Sequence, residues 1–111
     1  MTVYDTANDL ARQIKESREY VEYKEMKDLI AADPNKKKKV EDFEKLRYDT
    51  QVLTLQGGGS ENPETKKKLE EMYLILVEDK EIKKYFDMEV RFNVMLADVN
   101  KIIGEAVKEV L

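Results

Sequence analysis

Cysteine, histidine and tryptophan are all absent from this 111-residue chain. Without cysteine there is no disulfide framework, no thiol nucleophile and no thiolate-ligated zinc or iron–sulfur site. Without histidine there is no Ser-His-Asp triad, no HExxH zinc site and no Glu-x-x-His pair of the di-iron bundles. Glycine and proline are scarce, at four and two, so little in the chain breaks a helix. The longest apolar run, Met72 to Val77, is six residues, far short of the roughly 20 that span a bilayer. The opening MTVYDTAND lacks the charged-then-apolar pattern of a secretory signal. A cytoplasmic location without membrane contact is the expectation.

What is present is charge and helix formers. Lys and Arg number 20, Asp and Glu 24, for a formal net charge of -4. Charged residues are 40% of the chain, against about 25% in an average soluble domain. The mildly acidic balance argues against nucleic-acid binding by the whole surface. Ala, Glu, Lys, Leu and Arg make up 51 of the 111 residues, close to the half that marks long-helix proteins. Leu, Ile, Val and Phe supply about a quarter, above the roughly one-fifth below which chains stay disordered. The expectation is an all-α fold: one helical domain over residues 1–111, an elongated bundle of about five helices.

Punctuation and period place the helices. The first spans about Asp5 to Glu16, with a stripe of Ala7, Leu10, Ala11 and Ile14 at i, i+3, i+4, i+7. Ser17 reads as the cap of a second, Arg18 to Ala32. Asp33 and Pro34 read as cap and first residue of a third, because proline pushes its predecessor out of helical geometry and fits the first helical turn. This third segment runs to about Leu55 with two stripes, Val40/Phe43/Leu46/Thr50/Leu53 and Tyr48/Val52/Leu55, on nearly opposite faces. Gln56 to Ser60 with its three glycines, and the residues to 62, read as a hairpin turn. A phosphate-cradling loop is excluded, since no Gly-Lys-Ser/Thr follows and no strand precedes. Asn62-Pro63-Glu64 repeats the helix-start grammar and opens a fourth segment to about Glu78. Its end, with Leu74, Ile75 and Val77, is apolar all round and is expected to be buried on every side.

Asp79 reads as the cap of a fifth segment, about Lys80 to Val110. Phe92, Met95, Leu96, Val99, Ile102, Ile103, Ala106 and Val110 follow a 3-4 alternation, while Ile82, Phe86, Val90 and Val94 run at i, i+4 on another face. Such a helix is about 45 Å long, whereas a compact domain of this size has a radius of gyration near 13 Å. A protruding helix with two apolar faces needs a second chain to cover it. A homo-oligomer, a dimer or higher even assembly, is therefore expected. Its self-association candidates are Phe86, Val90, Phe92, Met95, Leu96, Val99 and Ile103.

Two lysine runs open helices: Lys36, Lys37, Lys38 and Lys39 on the third, Lys66, Lys67 and Lys68 on the fourth. Cations are unfavourable at a helix N-terminus, so a polyanion such as RNA is one reading and a solvated face the other. In a hairpin the two starts lie at opposite ends, and no aromatic residues interleave as single-strand binders require. Carboxylate pairs such as Glu70/Glu71 are expected at this charge density and imply no catalytic pocket. No catalytic residue, cofactor or metal site is expected. Asn93 and Asn100 border the apolar stripes of the last helix as candidate register pins.

The order of these features resembles the YlbF/YmcA family of small helical regulators of Gram-positive bacteria, in a branch like YheA. The likeness runs from Tyr4 to Ala106. It is carried by Tyr4, Ala7, Leu10, Ala11 and Ile14, Lys15-Glu16-Ser17, Tyr20, Ala32-Asp33-Pro34, Phe43, the glycine hairpin at Gly57, Tyr85-Phe86 and Leu96 to Ile103. The resemblance implies a long helical hairpin that dimerises or assembles further. It also implies a non-enzymatic adaptor in competence, sporulation and biofilm control, modulating RNase Y-dependent mRNA processing with other regulatory proteins as partners. Some members carry iron–sulfur clusters on cysteines, which this chain cannot supply. The alternative function is an RNA- or polyanion-contacting subunit using the lysine runs.

Overall fold

A computed structural model describes residues 2–57 and 63–111, and among these every regular element is a helix. They are α1 (Val3–Glu16), α2 (Arg18–Ala32), α3 (Pro34–Gln56), α4 (Pro63–Leu76) and α5 (Lys80–Val107). The fold is all-α, as composition requires. Gly58 to Asn62, including the expected cap Asn62 and most of the expected turn, lie outside the described residues.

The starts of α1, α2, α3 and α5 each have a side-chain oxygen that satisfies amides the helix itself leaves without partners. Thr2 and Asp5 form a reciprocal capping box at α1, with both contacts at 3.2 Å. The T-x-x-D spacing that produces it moves the helix start to Val3, ahead of the expected Asp5. Ser17 serves two helices. Its hydroxyl donates to the Ile14 carbonyl at 2.6 Å and accepts from the Tyr20 amide at 3.2 Å. Asp33 accepts from the amides of Asn35 and Lys36 at 3.0 and 3.3 Å. Asp79 does the same for Glu81 and Ile82 at 2.9 and 3.3 Å. The fourth helix ends at Leu76, two residues earlier than expected, because the amides of Glu78 and Asp79 turn back to Ile75 and Leu76. Gly57 closes α3 at φ -84°, donating to Leu53 and Leu55, so the left-handed freedom of glycine is not used there.

The chain divides into two compact units. One comprises Met1–Lys27 and Tyr85–Leu111. Its core is aromatic: Tyr23 lies 5.7 Å from both Tyr85 and Phe92, Tyr20 meets Phe92 edge-on at 5.9 Å, and Tyr85 meets Phe86 at 5.4 Å. Met26, Tyr85, Phe86 and Met88 are buried. Glu89, 9% exposed, accepts a hydrogen bond from the Tyr23 hydroxyl at 3.3 Å, which meets the polar group's need on burial.

The other unit is Asp28–Lys84, with Ile30, Val40, Phe43, Leu76 and Ile82 buried. Here α3 and α4 pack together as an antiparallel hairpin. The ring of Phe43 meets Tyr73 at 6.1 Å, while the later Arg47 to Leu55 stretch faces the earlier Lys66 and Leu69. The expected burial of the end of α4 holds only for Leu76. Leu74 and Ile75 are 64% and 68% exposed, because α4 packs one face on α3 and turns the other outward.

Candidate interaction surfaces

One face of α5 in the first unit is apolar and faces outward. Val90 and Val94 are 59% and 55% exposed, and Ile102 and Ile103 are 70% and 50%. Val90, Val94, Met95, Val99 and Ile102 line a shallow hollow of about 490 Å³ whose polar rim is Glu19, Arg91 and Asp98. The i, i+4 stripe read from sequence therefore splits. Its first half, Ile82 and Phe86, is buried in the chain's own cores, and its second half, Val90 and Val94, faces out.

This corrects one association candidate. Phe86 is packed inside the aromatic cluster and offers no surface to a partner. Phe92 is half-buried against Tyr20 and Tyr23. Met95, Leu96 and Val99 are half-buried, and Val90 and Ile103 are exposed. Val94 and Ile102 belong with the outward group. Their signal was the spacing of four from Val90 and the 3-4 run through Val99. Asn93 and Asn100 are both exposed, on the solvent side of the helix.

A second apolar stripe lies on α1. Ala7 and Ala11 are exposed, Leu10 and Ile14 half-exposed, and no residue of the helix is buried. So strongly one-sided a helix gains little from this chain's own core.

The lysines of the third helix are engaged locally. Lys36 sits between Asp79 and Glu81, at 3.1 and 2.8 Å, with its side chain only 23% exposed. Hydrogen bonds to Glu81 and then Asp79 hold the ammonium above its ordinary 10.5. For Asp79, burial alone would raise the carboxyl; hydrogen bonds from Lys36 and from the amides of Ile82 and Glu81 outweigh it and leave the group below 3.8. The cation at the start of α3 is thus explained by a clasp to the cap of α5. Lys37 and Lys38 pair with Glu41 and Asp42 one turn on, at 4.0 and 3.3 Å. Lys39, Lys67 and Lys68 are exposed. The antiparallel hairpin keeps the two runs at separate levels, so they form no joint basic patch.

The hairpin carries two hollows that meet at Leu69. The upper, about 460 Å³, lies beside Arg47, Thr50 and Thr54 of α3 and Lys66 of α4. The lower, about 410 Å³, lies beside Phe43, Tyr73 and Leu74, with Glu70 as its charged residue. Sequence reading gave this surface no role, because its α3 side reads Arg-Thr-Gln-Thr and not as an apolar stripe. No cluster of three acidic, histidine or cysteine side chains suited to a metal occurs among the described residues, and none of the described helices is long and apolar enough to cross a membrane.

The family model for "Control of competence regulator ComK, YlbF/YmcA" matches residues 3–108. A UPF0342 protein of Symbiobacterium thermophilum is 39% identical over 105 residues, 95% of this chain and 93% of that one. Another, from Desulfitobacterium hafniense, is 38% identical over 117 residues, 100% of this chain and 89% of its own. A third, from Halothermothrix orenii, is 37% identical over 103 residues, 93% and 86%. The chain belongs to the YlbF/YmcA family.

That membership agrees with the resemblance read from helix punctuation. Ser17, Asp33-Pro34 and Asp79 each cap a helix in the structure, and Tyr20 and Tyr85-Phe86 build the aromatic core of the first unit. The family is a regulatory one, named for control of competence. Among its described residues this member of the family presents solvent-facing apolar side chains on α1, on the α5 face and at the hairpin hollows.

Proposed function

We propose that the chain is a non-enzymatic regulatory adaptor that pairs with a second copy of itself through the outer face of α5. In this reading it serves, with other regulators, to modulate RNase Y-dependent mRNA processing in the cytoplasm. The observation that carries the reading is the run of exposed apolar side chains Val90, Val94 and Ile102 on one face of a long helix. Covering their exposed parts contributes about 1–2 kcal/mol each. A two-fold contact presents every one of them twice, for roughly 6–12 kcal/mol gross, against an association cost of about 4–15 kcal/mol. A symmetric contact doubles what one-sided docking on this stripe would contribute. The regulatory family supports the adaptor role, and helix-against-helix burial supplies its mechanism.

Light scattering at tens of micromolar tests the pairing. Val90→Asp with Val94→Asp is expected to halve the mass while the far-ultraviolet circular dichroism stays helical, since neither side chain is in a core. A wild-type chain that is monomeric at those concentrations refutes the pairing. Retrieval from the native cell extract, with mass spectrometry of bound protein and RNA, tests the role. RNase Y or its associated regulators are the expected catch, and their absence refutes it.

A further inference from the structure

The hollow on α5, which lies wholly within the first unit, holds two charges in line with its apolar residues. Arg91 and Asp98 stand at i and i+7, about 10 Å apart along the helix. Both are exposed, and among the described residues neither side chain has an ion-pair partner. The remaining charged residue of the hollow, Glu19, is engaged on its own helix. It sits in the first turn of α2, where a carboxylate suits the helix start, and its charge favours the neighbouring Arg18 guanidinium. Val94 and Met95 lie midway between Arg91 and Asp98, and Val90 and Val99 lie just outside them. Reversed end for end, this block maps each apolar position onto an apolar one and the cation onto the anion.

We infer that two copies meet with their α5 helices antiparallel about a two-fold axis between Val94 and Met95, each Arg91 opposite the partner's Asp98; this rests on the pairing through α5 proposed above. The same register sets Val90 opposite the partner's Val99 and Val94 opposite the partner's Met95. A shift of one turn either way sets Arg91 against the partner's Val94 or the partner's Ile102, and leaves a partly desolvated charge without a counter-charge. A parallel, in-register pair sets like charge on like at both positions and lays the two helix dipoles side by side in the same direction. The two charges therefore make the face recognise itself. A competing helix has to offer an anion and a cation in the reverse order at the same spacing.

The full chain has no cysteine, so Lys108→Cys, exposed just past the end of α5, takes one nitroxide label per copy. Double electron–electron resonance is expected to give about 40 Å between labels, the rise of roughly 27 residues in the antiparallel pair. A parallel pair gives about 10–20 Å. That short distance in a dimer overturns the antiparallel register and leaves the α5 pairing standing. A chain that is monomeric at tens of micromolar overturns both, so the two failures are told apart. Arg91→Asp alone and Asp98→Arg alone, checked for unchanged helix content, are each expected to weaken the dimer at least about tenfold in sedimentation equilibrium. The two changes together are expected to restore it to within about threefold of wild type. Single variants that pair as tightly as wild type, or a double variant no tighter than the singles, overturn the inference. Native mass spectrometry of the double variant mixed with isotope-labelled wild type is expected to show like pairs only, because a mixed antiparallel pair sets cation on cation and carboxylate on carboxylate. Mixed pairs at or above the statistical half overturn the inference, because only parallel or charge-indifferent contact allows them.

Discussion

Ile82→Ala is the sharpest perturbation of the fold. Ile82 is 1% exposed, the most deeply buried side chain among the described residues, and it sits one turn into α5 in the unit Asp28–Lys84. The substitution removes three methyl or methylene groups, worth about 0.8 kcal/mol each in transfer terms, or roughly 2.4 kcal/mol. The cavity left behind raises this to about 3–4 kcal/mol, within the usual 2–5 for such a truncation. A chain of this length holds about 5–16 kcal/mol in total. The unfolding entropy is about 0.23 kcal/mol/K at this length, so the melting temperature falls by about 13–17 °C. Urea unfolding followed at 222 nm, at one fixed protein concentration, is the assay. The midpoint should drop with an unchanged slope. Ile102→Ala on the same helix is the control: at 70% exposure it should cost under about 0.5 kcal/mol in a monomeric variant. A cost below 1 kcal/mol for Ile82→Ala refutes the placement of that core.

Gly104 lies inside α5 with nothing within 4 Å of the position a Cβ would take. Gly104→Ala should therefore stabilise the chain by about 0.5–1 kcal/mol through helix propensity, read as a rise of about 2–4 °C in thermal melting. Asp79→Ala removes the α5 cap and the partner of Lys36, and should cost about 1–2 kcal/mol in urea unfolding. The same pair sets a pH window. The Asp79 carboxyl is held below 3.8, so its contribution is present above that pH and is lost as pH falls through the lower folded value. The Lys36 ammonium is held above 10.5, so its contribution is present below that pH and is lost as pH rises beyond it. Stability measured between pH 2 and 7 should show an acid loss that is smaller in Asp79→Ala than in wild type. Thr2→Ala should fray α1, reducing amide protection over its first turn with little change in the global midpoint.

Helix number and most boundaries were legible in the chain. Ser17, Asp33-Pro34 and Asp79 act within a few residues of themselves, so local chemistry suffices to identify them. The family was legible for the same reason, since its signature is largely this punctuation. The absence of cysteine and histidine bounded the chemistry before any coordinate was known. Tertiary structure decided which apolar residues are covered. Phe86 and Val90 are one helical turn apart and both apolar, yet one is 4% and the other 59% exposed. Periodicity places them on one stripe but is silent about where the neighbouring aromatic cluster ends. Leu74 and Ile75 stand outside for a like reason, because α4 turns its other face to α3. The hollows on the hairpin and the Lys36 clasp join residues tens of positions apart. Only packing brings such pairs together, since hydrophobic period is a property of one helix and a groove is a property of two.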